Sequence, residues 1–186
     1  MVLLEIGIGV VVIIIGGILV IIWNTLVMMK NNVAKAWANI DVLLEQRHDE
    51  LGKLIDTVKG YKNYEKTILT KLTGLRTKWM SIPKDDIQGK ADASNQISQA
   101  LKSIFATSEN YPDLKADQSF LQLQTRISEL ETQIAERREF YNDSANEYNI
   151  KIAQIPYVMF ANGMGYKPVQ LFQVPDASKQ DVKVNL

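Results

Sequence analysis

From residue 6 to residue 29 the chain carries no charge. At about 1.5 Å per residue such a run makes a helix of roughly 36 Å, enough to cross a hydrocarbon core of about 30 Å. Trp23, Asn24 and Thr25 stand near its far end, and a Trp beside polar residues suits a membrane–water interface. The competing assignment is a cleaved signal peptide, because Ala34-Lys35-Ala36 has the form of a weak cleavage site. The early charge, however, is Glu5 rather than a basic cluster, and the run is long for a signal core, so a retained anchor over residues 1–29 is expected. Lys30, Lys35 and Arg47 follow the run and no basic residue precedes it. The positive-inside rule then expects a single pass with the N-terminus outside and the rest cytoplasmic, on the cell (inner) membrane or an internal membrane derived from it.

Gly7, Gly9, Gly16 and Gly17 lie inside the run. Gly9 and Gly16 are seven apart and share nearly one helix face, which would let a second helix approach closely. The plainer account is that glycine is common in membrane helices. A GxxxG spacing is absent.

The second constraint is a heptad stripe. Val33, Trp37, Ile40, Leu44, Arg47, Leu51, Leu54, Val58 and Tyr61 alternate steps of four and three, and all but Arg47 are apolar or aromatic. That pattern predicts a helix packed against partners. Nothing between Met29 and Val33 breaks a helix, so the anchor is expected to run on into the soluble helix. After Gly60 the stripe shifts phase through Tyr61, Tyr64, Ile68, Leu72, Leu75 and Trp79. A continuous or gently bent helix to about Met80 is expected, with Gly60 as a tolerated interior residue or a cap.

Pro83 with Asp85 and Asp86 marks a break and then a helix start, giving a helix over residues 87–108 with Ile97, Leu101, Ile104 and Phe105 on one side. Asn110-Tyr111-Pro112-Asp113 breaks again. A last long helix over about 115–155 carries Phe120, Leu123, Ile127, Leu130, Ile134, Arg137 and Tyr141, then Ala145, Tyr148, Ile152 and Ile155 after a stutter-like change of step. Pro156 ends it. A short apolar segment at 157–161 follows, and Gly163, Gly165 and Pro168 mark turns. Val169, Leu171, Phe172 and Val174 are expected to pack back, with residues 175–186 as a polar tail. The expected architecture is all-α: one transmembrane helix continuing into an antiparallel bundle of three to four long helices over residues 30–174.

Composition excludes several functions. Lys+Arg and Asp+Glu number 21 each, so the chain lacks the cationic surplus that phosphate backbones demand, and no nucleic-acid partner is expected. With no cysteine there is no disulfide, thiolate metal site or thiol nucleophile. His48 is the one histidine, and its neighbours Arg47, Asp49 and Glu50 read as a solvated face rather than a converging ligand set. Asp41 and Glu45 sit four apart, but a bundle dimetal site needs Glu-x-x-His motifs, which are absent. The tyrosines and tryptophans fit core packing. No phosphate loop has the required strand and helix context. Neither a cofactor nor a metal is therefore expected.

Arg47 at a seam position, and Arg137 at the matching place on the last helix, leave two openings. They pair with carboxylates across helices, with Asp41, Glu131 and Glu136 as candidates, or they run their stems along the surface and keep their heads in water.

Trp37-Ala38-Asn39-Ile40-Asp41-Val42-Leu43-Leu44, Arg47, Thr57-Val58-Lys59-Gly60-Tyr61 and Glu65 resemble the signature of the LemA family. Tyr111-Pro112-Asp113-Leu114-Lys115-Ala116, Arg137-Arg138, Tyr141-Asn142, Tyr148-Asn149, Pro156 and Gly165-Tyr166 continue the resemblance in order over nearly the whole chain. The chain departs from the family in lacking a Pro within residues 51–54 and in having Tyr64 where His is frequent. The resemblance implies one N-terminal membrane helix with a short outer N-terminus and a cytoplasmic helical bundle. Some relatives belong to the magnetosome, a bacterial membrane organelle.

The leading expectation is a membrane-anchored, non-enzymatic structural or adaptor protein that self-associates, with the bilayer, copies of itself and a further protein as partners. The alternatives are a sensor or receptor module that binds a small ligand or a partner protein between its helices, and an enzyme with a site hidden from sequence.

Overall fold

The computed structural model describes residues 1–61 and 66–173. Tyr64, Glu65, Val174 and the tail from Pro175 lie outside the described residues. Among those described, every regular element is helical: α1 (Val2–Lys59), α2 (Lys66–Ser81), α3 (Ile87–Ser108), α4 (Pro112–Lys115), α5 (Gln118–Ala153) and α6 (Tyr157–Gly163). The expected all-α class holds, and α1 is long and apolar enough to cross a membrane.

One correction concerns the first helix. It does not continue to Met80 but ends at Lys59, where the Gly60 amide bonds back to the Thr57 carbonyl and the Tyr61 amide to that of Val58. The phase shift in the apolar stripe after Gly60 marks this change of direction. The other boundaries follow local chemistry. Asp86 caps α3 by accepting from the Gly89 amide at 2.8 Å. Gly89 is required there, because a Cβ would collide with the Asp86 carboxylate. Asp117 opens α5 in the same way, accepting from the Phe120 amide at 2.9 Å. That amide, and then the Tyr61 hydroxyl at 2.8 Å, hold the Asp117 carboxyl below its ordinary pKa. At the end of α6 the Gly165 amide bonds to the Asn162 carbonyl and the Tyr166 amide to that of Ala161. Gly165 has φ 67°, the left-handed turn of a Schellman cap.

The described chain forms two compact units. The first comprises Met1–Ala38 and Phe140–Leu171. Here α1 and α5 run antiparallel. Trp37 meets Tyr141 edge-on with ring centroids 5.7 Å apart, and Tyr166 lies between Lys30 of α1 and Tyr148 of α5. Its core holds Ile22, Leu26, Val33, Ala36, Tyr141, Ala145, Tyr148, Ile152 and Ala161. The segment after α6 is held along α5 by polar bonds. The Tyr141 hydroxyl donates to the Gln170 carbonyl at 2.7 Å, and the Asn149 amide exchanges two bonds with the Val169 backbone, each 2.8 Å.

The second unit comprises Asn39–Glu139 with Phe172 and Gln173 of the described C-terminal residues. Partner numbers give its topology. Along α1, Asp41 pairs with Lys90 and Arg47 with Ser94 and Ser98, so α3 runs parallel to α1. His48 faces Trp79 and Gly52 faces Arg76, so α2 is antiparallel to α1. Arg47 meets Glu131 and Tyr61 meets Asp117, so α5 is antiparallel as well. The result is an up-down-up-down four-helix arrangement. Its interior is built from Ile40, Leu44, Leu51, Leu54, Val58, Leu72, Ile97, Leu101, Ile104, Phe120, Ile127 and Leu130. Of the heptad stripe, Trp37 on α1 and Tyr61 just past its end are half-buried and the other positions are buried.

Candidate functional site

A four-helix interior of this size buries its seam in aliphatic side chains by default. This one buries two full positive charges. Arg47 is 1% exposed and Lys90 2%. Each has one carboxylate partner that reaches the surface: Glu131, 32% exposed, for Arg47, and Asp41, 28% exposed, for Lys90.

Two helices converge on Arg47 of α1. From α3, Ser94 Oγ accepts at 2.8 Å, the Ser94 carbonyl at 3.4 Å and Ser98 Oγ at 2.9 Å. From α5, Glu131 Oε1 accepts from the same guanidinium. Ser98 Oγ in turn donates towards Glu131 Oε2 at 2.7 Å and the Ser94 carbonyl at 3.1 Å, alternatives for its one proton. The guanidinium therefore uses both terminal nitrogens, while its buried Nε finds no partner among the described residues. Burial lowers the Arg47 pKa, and the Glu131 charge and hydrogen bond oppose that shift. An arginine suits the place because its planar fork reaches two helices at once and it stays charged.

Lys90 lies one turn before Ser94 on α3. Its ammonium bonds to Asp41 and sits over the Trp79 ring, 5.4 Å from the centroid. The same indole stacks against His48 at 6.4 Å between centroids with a 29° interplanar angle. Behind His48, the Arg76 guanidinium fills the space left by Gly52, where an added Cβ would lie 2.9 Å from its terminal nitrogen. Like that of Arg47, the buried Nε of Arg76 has no partner among the described residues, nor has the buried Nδ1 of His48. The site is thus a polar spine: Asp41, Arg47 and His48 on α1, Arg76 and Trp79 on α2, Lys90, Ser94 and Ser98 on α3, and Glu131 on α5.

Of the residues singled out in the sequence, the structure joins Arg47 to Glu131 and sends Asp41 to Lys90. Arg137 is exposed and joins no interhelical ion pair among the described residues. Gly7, Gly9, Gly16 and Gly17 each face open space, with nothing within 4 Å of an added Cβ. His48 is not on a solvated face. It is 8% exposed, and burial first and the Arg76 charge second push its pKa down, against smaller opposing effects of Glu45 and Asp49. Lys90, Ser94, Ser98 and Arg76 escaped sequence reasoning. Their signal was the four-residue step from Lys90 through Ser94 to Ser98, which places three polar groups on one face of α3.

A histidine held neutral inside the fold gives a pH signature of known sign. Its folded pKa lies below the ordinary 6.5, so the unfolded chain binds the proton more readily. Stability is fully present above about pH 6.5 and is lost as pH falls through the lowered folded value. Urea midpoints taken down from pH 7 are expected to fall more steeply in the wild-type protein than in His48→Phe. Equal slopes would show that His48 does not contribute.

The chemistry open to this spine is limited. Among the described residues no three His, Cys, Asp or Glu side chains cluster to hold a metal ion. An open cleft of about 580 Å³ in the second unit is lined by Lys59, Tyr61, Lys66, Leu69, Thr70, Thr73, Gly74 and Thr77. The hydroxyl protons of Thr70, Thr73 and Thr77 already go to carbonyls of their own helix, at 2.8, 2.8 and 3.1 Å.

An apolar helix of membrane-spanning length joined to antiparallel helices with an ionic spine defines a membrane-associated helical-bundle protein. The chain belongs to the LemA family, whose model matches residues 36–186. It is 31% identical to Protein LemA of Metamycoplasma hominis over 86% of this chain and 72% of that protein. It is 26% identical to Magnetosome protein MamQ 2 of Paramagnetospirillum magneticum and 24% to Magnetosome protein MamQ of Magnetospirillum gryphiswaldense. Each of these two matches covers 81% of this chain and 64% of the magnetosome protein.

Proposed function

We propose that this is a non-enzymatic structural protein that holds a helical bundle at a bilayer surface and self-associates through its anchor. One observation carries the reading: a single uninterrupted helix, α1, supplies both the apolar run and the seam stripe on which the bundle packs. The anchor's glycines support self-association, since each leaves a face with nothing against it. The spine supports a non-enzymatic role. Its two most deeply buried charges, on Arg47 and Lys90, are each spent on a carboxylate of the bundle. Magnetosome relatives fit a task at membranes. Lys30 and Lys35 after the run favour a cytoplasmic bundle on the cell membrane or a membrane derived from it.

The test is molar mass by light scattering on the full chain in mild detergent. An assembly well above 21.0 kDa is expected, and Gly9→Ile with Gly16→Ile is expected to shift it towards the monomer. Both positions face open space, so the substitutions leave the bundle intact. A wild-type monomer, or an assembly indifferent to both changes, would overturn the reading.

A further inference from the structure

The antiparallel register of the first unit places its C-terminal segment unexpectedly low. Trp37 of α1 meets Tyr141 of α5, and Lys30 shares Tyr166 with Tyr148. Seven residues back along α1 thus correspond to seven forward along α5. At equal rise per residue, Leu26 comes level with Ile152, and Ile22 with Pro156. Burial agrees. Leu26 is 0% exposed and Ile22 4%, whereas Ile21 and Trp23 beside them are 63% and 51% exposed. Helix neighbours alone do not cover a side chain so fully, and within this unit the covering chain is the 140–171 segment. Both covered residues belong to the uncharged run of the anchor. The end of α5 and α6 therefore stand at the level of the membrane segment.

The sequence of that end suits the place. Lys151 and Lys167 bracket a stretch, residues 152–166, without a single charge. Within it Ile155 is 84% exposed and Met159 73%. Lys30 lies 4.5 Å from the Tyr166 ring centroid and Lys151 4.7 Å from that of Tyr157, so cations over tyrosines stand where the uncharged stretches begin. Lysines set over tyrosine rings, with aliphatic side chains beyond, make the boundary pattern of a headgroup layer. The lysines also favour anionic headgroups.

We propose that α6 and its flanks form a second membrane contact, with Ile155 and Met159 entering the headgroup and acyl boundary of the leaflet on the bundle's side. The occupant is lipid, because the surface continues the lipid-facing surface of the anchor. The inference rests on the reading of residues 6–29 as an anchor. The chain has no cysteine, so each single-cysteine variant of the full protein carries one fluorescent probe. Val12→Cys reports the anchor, Ile155→Cys and Met159→Cys the proposed contact, and Met80→Cys a position 73% exposed on α2. In vesicles of phosphatidylcholine and phosphatidylglycerol, a doxyl-labelled lipid is expected to quench the Ile155→Cys and Met159→Cys probes several-fold more than Met80→Cys, with aqueous iodide showing the reverse order. If Val12→Cys is lipid-quenched while both C-terminal probes answer to iodide, the second contact is refuted and the anchor stands. Shielding of those probes from both quenchers means a protein covers the surface, which also refutes it. A Val12→Cys probe open to iodide overturns the anchor and the contact together.

Discussion

Glu131→Ala is expected to destabilise the bundle by about 3–5 kcal/mol, the cost of leaving a buried charge without its partner. The reason lies in an asymmetry of burial. Arg47 is 1% exposed and Glu131 32%, so loss of the carboxylate strands a guanidinium that water does not reach. Ser94 and Ser98 offer dipoles but no charge. The reverse change is milder. In Arg47→Met the buried charge leaves together with its desolvation cost, and the Glu131 carboxylate keeps Ser98 and turns to solvent, so the loss is expected to be smaller than in Glu131→Ala. Arg47→Met with Glu131→Leu is expected to recover most of the stability, since an apolar pair of similar volume often replaces a buried ion pair without loss. Urea midpoints followed by helical circular dichroism in one detergent give all three values. Equal losses in the two single variants would refute the asymmetry, and additive losses in the double variant would show that the two side chains do not act as a pair.

Such a spine specifies arrangement more than it adds stability. An aliphatic seam on α1 fits a partner helix in several registers, whereas Arg47 bonds only where Ser94, Ser98 and Glu131 coincide. Asp41 with Lys90 repeats the condition nearly two turns away along α1. Fixing register by a buried polar residue is the best-attested use of such groups.

How far the sequence reveals this differs from residue to residue. The bounds of α3 are legible because Pro83 forbids helix and Asp86 caps the next one, both local effects. The seam of α1 is legible because burial repeats with the helical period, and Arg47 stands out as the one charge in it. Arg137 has the same spacing yet lies exposed. A straight helix drifts by about 20° per heptad, and around the change of step on α5 burial passes from Ile134 to Tyr141 without including it. Lys90 was illegible for another reason. A lone lysine near a helix start normally points to water, and what draws it inward, the Trp79 face and the Asp41 carboxylate, comes from helices 11 and 49 positions away in sequence. The break after Lys59 was ambiguous because a glycine is tolerated within a helix and also ends one.

Trp79 is the point where these tertiary effects meet, and Trp79→Ala is expected to cost about 3–5 kcal/mol as a cavity-forming change in a core. The side chain is 4% exposed, so its removal opens space that the four helices fill only in part. Two further losses follow from its position. Lys90 loses the ring face over which its ammonium sits and retains Asp41 alone, and His48 loses the surface it stacks on. Trp79→Leu separates the contributions, because it keeps much of the apolar volume and removes the π face. It is expected to cost less than Trp79→Ala but more than the volume change explains. That excess should vanish in a Lys90→Met background, where no cation remains over the ring. A double-mutant cycle on thermal unfolding measures it directly. If the Trp79→Leu loss is the same with Lys90 and with Met at position 90, the indole acts as filler alone, and the ammonium is held in the core by Asp41 without help from the ring.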